Sequence, residues 1–418
     1  MASLSDKLKS LGVKHGTAEI QPAKHPELEQ VFGGRWQPTP RGQVLVVEQR
    51  YPVEARHGQT PILPTASFEN LAAWAGDERL GRLDLSQFAF LDTETSGLSG
   101  GTGTYAFMVG AGRFVADEFR LALFFMADPA DEPALLEALA AFLAPCAALV
   151  TFNGKTFDAP LLRTRYALNQ IPCPFDGFAH LDLLPLARRL WRDRLPSRAL
   201  KYLEEHILLA PRTTEEVPGY EIPWLYFDFL RTGRAEPLKG VFYHNAMDVV
   251  AMAALLNQVS AMLADPHHFD LEHGLDLIAL ARLFEDLHHW EDAALLYERG
   301  LKTTLPEADF GKALQRLSAL QRRRGDLATA VRLWEQAAAE GHIFAHVELA
   351  KYYEHQRRDP AAALEWTLSA ARHVAAADLP VYIRRHWIDE LLHRQERLEA
   401  KLARPTRLER KTNDDLAS

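Results

Sequence analysis

The spacing of apolar residues changes character along this chain, and the changes divide it. Up to about residue 85 the pattern is mixed, with several prolines and one strand-like run at Gln43–Glu48. This stretch, residues 1–85, reads as an N-terminal extension that packs on the domain after it. Phe88-Ala89-Phe90-Leu91 is then a short continuous apolar run of the buried-strand kind. The glycine-rich GLSGGTGT follows, and further apolar runs come at Tyr105–Val109 and Phe119–Phe125. Three strands joined by short turns predict an antiparallel meander. Glu132–Leu143 is rich in Ala and Leu at helical spacing, Ala148–Phe152 is another buried strand, and helical patterns follow it. Residues 86–265 therefore read as an α/β domain, a mixed sheet flanked by helices.

From about residue 270 to 400 the period is helical throughout. RRGDLATAVRLWEQAA at 323–338 aligns with RRDPAAALEWTLSAA at 357–371, an offset of about 33 residues, and WEDAALLYERGL at 290–301 is a looser copy. Paired helices at this repeat length predict an all-α, tetratricopeptide-like repeat domain over 270–400. An irregular helical bundle is the plainer alternative. Such arrays present a groove to a partner chain, so a protein partner of unknown identity is expected here. The tail, 401–418, is polar.

Composition narrows the function classes. The chain has 418 residues, too many for one ordinary core, and 47% are apolar, which argues against wholesale disorder. Its two cysteines, Cys146 and Cys173, are too few for a disulfide framework or a structural zinc site and fit a reducing compartment. No apolar run reaches the length of a membrane span, and the N-terminus MASLSDKLKSLGVKHG lacks an apolar signal core. A cytoplasmic protein without a membrane partner is expected. The formal net charge of −9 is not the footprint of a generic polyanion binder, so any nucleic-acid contact must be local.

Three acidic motifs follow strands or sit on helices. Asp92-Thr93-Glu94 ends the Phe88–Leu91 strand, where alternation puts both carboxylates on one face. Alone, this is an ordinary solvated strand end. Asn153 and Asp158 flank a glycine turn after the Ala148–Phe152 strand; Asp158 opens the next helix and would serve as an N-cap there. His244 and Asp248 are four apart on a helix and share a face, as many surface pairs do. Together the motifs say more. Four carboxylates converging on one sheet repel unless cations lie between them. Two Mg²⁺ or Mn²⁺ ions, about 4 Å apart, would take these oxygen ligands and clamp a phosphodiester. A histidine beside them is suited to activating water.

These residues resemble a known family. The set Asp92/Glu94, Asp158, Asp248 is similar to the four acidic residues of the DEDD 3′–5′ exonuclease superfamily. LDTETSGL, FNGKTFDAPLL, HLDLLPLARRLWRDRLPSRALKYLEE and YHNAMDVVAM resemble, more narrowly, the YprB-like ribonuclease H-like proteins, over roughly residues 40–260. The resemblance implies a ribonuclease H-like fold and a nuclease. It implies that Asp92 bridges both metals, that Glu94 and Asp248 complete the site for the attacking water, and that Asp158 supports the other ion. Thr95, Ser96, Gly97 and Leu98 would line the pocket for the terminal nucleotide. One branch of the superfamily carries Tyr four residues before the last Asp, and the other carries His five before it. Here the identities are interchanged: His244 is four before and Tyr243 five before. Helix geometry favours His244 as the base, with Tyr243 as the alternative. Asp182 reads as a residue behind the metal ligands or as a helix cap.

A basic stretch between the motifs holds Arg188, Arg189, Arg192, Arg194, Arg198 and Lys201 around Trp191. Phosphate contacts with one stacking aromatic fit a single-stranded end, and Arg188, Arg192, Arg198 and Lys201, with Asn153, are the candidate substrate contacts. A solvated helix face with Trp191 in the core is an equal alternative. GLSGGTGT is not a phosphate loop, because no GK[ST] ending follows. The expected activity is 3′–5′ exonucleolytic hydrolysis of DNA or RNA. A structure-specific endonuclease of the same fold, or a non-catalytic repeat protein with a vestigial nuclease fold, are the competing readings.

Overall fold

The computed structural model describes residues 27–97 and 103–403. Leu98, most of the glycines after it and most of the polar tail expected at 401–418 lie outside the described residues. Two compact units emerge: residues up to Arg188 together with Ser197–Ala264, and Arg189–Pro196 together with the residues from Asp265 on.

The first unit is built on a seven-stranded sheet. A short helix α1 (Glu27–Phe32) precedes β1 (Arg35–Thr39) and β2 (Gly42–Pro52); β3 (Arg56–His57) and β4 (Thr60–Pro61) form a separate small hairpin, and α2 (Glu69–Ala75) follows. The meander is β5 (Phe88–Thr95), β6 (Ala106–Val115) and β7 (Glu118–Phe125). Next come α3 (Glu132–Leu143), β8 (Ala148–Thr151), α4 (Asp158–Leu168), β9 (Ala179–Asp182) and α5 (Leu183–Trp191). A short helix α6 (Leu200–Leu203) runs on into a π turn at Glu204–Leu208, and α7 (Ile222–Thr232) and α8 (Lys239–Ala264) complete the unit. The strand order is β1-β2-β7-β6-β5-β8-β9, antiparallel from β1 to β5 and parallel from β5 to β9. The parallel part needs crossovers long enough to carry helices, and α3 and α4 supply them.

The sheet corrects the expected domain boundary at residue 85. β2 pairs with β7 along its length, from Leu45 opposite Phe125 to Pro52 opposite Glu118. Residues 35–52 are thus two strands of the sheet itself rather than an extension laid on it. Their alternation is obscured because Val44 to Val47 are buried on both faces, as strands covered on both sides are. The other edge moves as well, since residues 189–196 group with the helical unit.

Both faces of the sheet are covered. Phe124 packs edge-on against Phe142 of α3, whereas its neighbour Phe125 meets Phe242 of α8, as alternation requires. α8 approaches closely because β6 presents Gly110 and Gly112 on that face. A Cβ at Gly110 would lie 2.2 Å from Asn245 Oδ1 and one at Gly112 2.8 Å from Val249. Against the expectation that no apolar run reaches bilayer length, the helical stretch Glu236–Ala264 meets that test by length and composition. It is mostly buried within the unit, as a core helix is.

The second unit holds seven helices among the described residues: α9 (Gly274–Asp286), α10 (Trp290–Leu301), α11 (Glu307–Arg323), α12 (Leu327–Ala339), α13 (Ile343–Tyr352), α14 (Pro360–Ala376) and α15 (Val381–Leu402). Each packs chiefly on its neighbours in sequence. The three repeated segments become α10, α12 and α14. Each is preceded, two residues before it starts, by a residue in the left-handed region: His288 (φ 62°), Gly325 (φ 87°) and Arg358 (φ 54°). Asp326 and Asp359 then cap α12 and α14 through backbone N–H groups.

Candidate functional site

Asp92 and Glu94 project from β5 toward α8, and Thr93 between them projects to the other face. On the α8 side, Asn245 Nδ2 donates to Asp92 Oδ2 at 2.7 Å. His244 Nε2 lies 3.9 Å from Glu94 Oε1 and 3.5 Å from Asp248 Oδ2. On the other side, Thr93 Oγ1 donates to Asp158 Oδ1, at the first turn of α4. The strand end thus gathers all four carboxylates, with Asp158 reached through the residue between the other two.

Their electrostatics are those of surplus buried negative charge. Burial first, then the charges of Asp248, Asp158 and Glu94, hold Asp92 well above the usual carboxylate range. Burial pushes Glu94 up to about 7, with Asp248 and Asp158 adding to it and His244 opposing. Burial pushes Asp158 up to about 6 despite the Thr93 hydroxyl. His244 is raised as well, but against burial rather than by it. Burial would strip its proton, but the hydrogen bond to Glu216 and the charges of Asp248, Glu94 and Glu216 outweigh burial and raise it to about 9. At neutral pH His244 is an imidazolium lying among carboxylates.

A second layer of charge stands behind Asp248, and the sequence carried no sign of it. Arg212, whose side chain is 3% exposed, donates to Asp248, Glu204 and Glu216 at once. Glu204 also meets His57 Nε2 of β3 at 2.8 Å, and Glu216 accepts from His244 Nδ1 at 2.9 Å. Arg212 stays charged because the attraction of Asp248 and Glu204 outweighs the cost of burial. Arg212, Glu204, Glu216 and His57 lie in loops or short elements without periodicity, so only the fold brings them here. Asn245 had a faint signal as a polar residue on the buried face of an apolar helix; it is fully buried, and its Oδ1 has no hydrogen-bond partner.

Several expected residues serve the backbone. Asp182 accepts from the N–H groups of Asn153 (2.7 Å), Lys155 (3.1 Å) and Leu184 (3.1 Å), so it braces the turn before α4 and caps the start of α5. Asn153 sits at φ 71°, with its side chain accepting from Thr156 Oγ1 at 3.0 Å. Thr95 Oγ1 donates to the Gly97 carbonyl at 2.9 Å, and Ser96 exchanges hydrogen bonds with the Tyr105 backbone. The Tyr243 hydroxyl accepts from Thr213 N at 3.0 Å, whereas His244 lies among the carboxylates.

The basic stretch is divided between the two units. Arg188, Arg198 and Lys201 belong to the first unit, whereas residues 189–196 belong to the second. Within the second, Arg189 pairs with Asp286, Arg194 with Asp276 at 2.8 Å, and Asp193 with Arg282. Lys201 lies 3.6 Å from Glu216, and Arg192 is exposed beside Asp193 at 3.4 Å. Trp191 is 1% exposed, which removes it as a stacking surface and decides that alternative for the core. Ala187, one turn earlier on the helix, and Leu195, just past its end, are apolar, a pattern consistent with a core face.

The oxygen donors fit a hard divalent cation: three carboxylates are held above their ordinary range by each other and by burial, the condition that a cation relieves. Among the described residues no group of three or more His, Cys, Asp or Glu side chains is arranged to hold a metal ion as it stands. The carboxylates engage the protein's own donors, with Arg212 on Asp248, Asn245 on Asp92 and Thr93 on Asp158.

Residues 89–260 match the RNase_H_2 family model of the RNase_H superfamily, a span that includes all four carboxylates and His244. The Bacillus subtilis (strain 168) protein YprB, described as uncharacterized, is 31% identical over 329 residues, covering 77% of this chain and 78% of that protein. The chain belongs to the YprB family of ribonuclease H-like proteins. In this chain the nuclease-type fold brings the carboxylates together around the end of β5, where the antiparallel and parallel parts of the sheet meet. Among solved structures, the family B DNA polymerase of Pyrobaculum calidifontis aligns over 48% of this chain and 29% of its own, at 16% identity and a TM-score of 0.31.

Proposed function

We propose that this protein is a divalent-metal-dependent nuclease, acting from 3′ ends of DNA or RNA. The observation that carries the reading is the convergence of Asp92, Glu94, Asp158 and Asp248 on one strand end, with three of the four held above their ordinary range. Asp92, Glu94, Asp158 and Asp248 would hold two Mg²⁺ or Mn²⁺ ions, which when bound polarise the phosphate and lower the pKa of water. The chain's own residues do the rest. Glu216 holds His244 Nδ1, so that Nε2 faces Glu94 and Asp248. Neutralising those two carboxylates removes part of what keeps His244 protonated and brings it toward the range where a base works at neutral pH. Asn245 orients Asp92. Thr95, Ser96 and Gly97 line the terminal nucleotide's pocket, and Asn153, Arg188, Arg192, Arg198 and Lys201 are substrate contacts in this reading.

The helices of the second unit are read as tetratricopeptide-like repeats that take a protein partner. Support comes from the left-handed residue found two positions before each of α10, α12 and α14. A cytoplasmic location accords with the free thiols Cys146 and Cys173.

Digestion of 5′-labelled single- and double-stranded DNA and RNA with Mg²⁺ or Mn²⁺ tests the function. A ladder shortening from the 3′ end, lost in Asp92→Asn, is the expected result. Internal cuts at junctions would favour the endonuclease reading, and no hydrolysis of any substrate would favour the vestigial one.

A further inference from the structure

The rim of the candidate site carries an aromatic ridge that the catalytic reading does not use. Four of the six exposed large apolar side chains described in the first unit lie on one short stretch: Tyr220, Trp224, Phe227 and Leu230. Tyr220 is 67% and Trp224 75% exposed. On α7, Trp224, Phe227 and Arg231 follow the i, i+3, i+7 spacing of one face, and Tyr220 stands one turn earlier. Exposed aromatics grouped in this way on an otherwise ordinary surface mark a binding site.

The ridge is anchored on its inner face, and its Tyr220 end begins beside the candidate site. The opposite face of α7 is anchored: Tyr226 stacks on Phe107 of β6 with centroids 4.0 Å apart and planes at 5°, and its hydroxyl donates to the Met126 carbonyl at 3.1 Å. Phe229 packs on Phe125. Gly219, the residue before Tyr220, backs onto the site, since a Cβ there would lie 4.0 Å from His244 Cε1. Tyr226 also meets Tyr105, whose backbone holds Ser96. Exposed arginines end the ridge: Arg231 and Arg234, both paired with Asp228.

We propose that Tyr220, Trp224 and Phe227 form a stacking platform for a single-stranded nucleic acid leading into the carboxylate site, with Arg231 and Arg234 on its phosphates. This rests on the nuclease reading and deepens it by naming the substrate as single-stranded. The chemistry is specific to bases. Every base has a π-face for an aromatic side chain, stacking tolerates sequence, and phosphates suit guanidinium groups. A duplex keeps its bases stacked on each other and gains nothing from the ridge.

The test is fluorescence anisotropy of fluorescein-labelled oligothymidylate, oligouridylate and a blunt duplex with the full chain, in Ca²⁺ to hold back hydrolysis. Trp224→Ala is expected to weaken single-strand binding about 5- to 100-fold, with Trp224→Phe within about 3-fold of wild type and duplex binding unchanged. Trp224→Leu keeps an apolar surface without a π-face, so it should resemble the alanine variant. Equal affinity of Trp224→Ala and wild type for both single strands overturns the platform. So does full affinity in Trp224→Leu, which would make the ridge a generic apolar face for a protein. A wild type that hydrolyses duplexes but binds no single strand overturns the platform and leaves the nuclease reading standing. A wild type that neither binds nor hydrolyses any nucleic acid overturns both. Whichever strand type shows the loss, DNA or RNA, identifies the substrate.

Discussion

Single side chains in the candidate site balance more buried acid than base. Arg212 shows the consequence most directly. Its guanidinium is shared by Asp248, Glu204 and Glu216, and removing it leaves Asp248 facing His244 alone and Glu204 facing His57 alone. Arg212→Met should lower stability by about 3–5 kcal/mol, read by urea denaturation, and saturating Mn²⁺ should restore part of the loss. A change under about 1 kcal/mol would mean the pairs are solvated. The same charge surplus predicts a pH dependence. Glu94 titrates near 7 against an ordinary 4.5, and His244 near 9 against 6.5. A proton held more tightly folded than unfolded stabilises the fold below the unfolded pKa and is lost as pH rises through the folded one. In EDTA the melting temperature should therefore fall from about pH 5 to pH 9, first through Glu94 and then through His244. Glu354, held near 2 by Lys401 and Arg397 against burial, is ionised throughout and adds no slope. Mn²⁺ should flatten the fall, and a metal-free melting temperature that rises over this window would contradict the surplus charge.

Elements place these side chains by close approach. α8 carries His244, Asn245 and Asp248 against β5 and β6 only because Gly110 leaves room for Asn245. Gly110→Ala inserts a methyl where none fits and should cost about 1–3 kcal/mol in thermal denaturation. It should reduce Mn²⁺ affinity as well, because α8 must shift. Unchanged calorimetric Mn²⁺ binding would show that α8 does not set the metal ligands. In the helical unit, Gly325 and Arg358 occupy equivalent left-handed positions, and only Gly holds that conformation at no steric cost. Arg358→Gly should stabilise the unit by up to about 1 kcal/mol, read as a higher denaturation midpoint. A lower midpoint would show that the Arg358 side chain does more there than its backbone costs.

For the whole molecule, sequence order and spatial units part company at residues 189–196. Arg189, Asp193 and Arg194 find Asp286, Arg282 and Asp276 on α9, in the helical unit. A chain ending at Ala264 leaves residues 189–196, buried Trp191 among them, without the helices they group with, so apolar surface is uncovered and it should aggregate. One ending at Lys302 keeps α9 and α10 and should stay soluble, as size-exclusion chromatography would show. All four carboxylates lie before Ala264, so any soluble fraction of the shorter chain should still bind Mn²⁺. Equal solubility of the two chains would mean that the pairs on α9 are dispensable.

Local sequence determined what local physics controls. The apolar run at Phe88–Leu91 and the i, i+2 placement of Asp92 and Glu94 follow from strand alternation, and His244 with Asp248 from helical spacing. The meander β5-β6-β7, the helical last third and its repeated segments were legible for the same reason. Two parts were not. β1 went unread because its short, half-exposed run carries no alternation, and β2, legible as a strand-like run at Gln43–Glu48, joins the sheet only through its pairing with β7. Arg212, Glu204 and His57 were invisible because their positions depend on chain closure between segments as far apart as β3 and α8, and no local period records that. Trp191 was ambiguous for a related reason. An amphipathic helix states which residues share a face, but what that face meets is settled only when the rest of the chain packs.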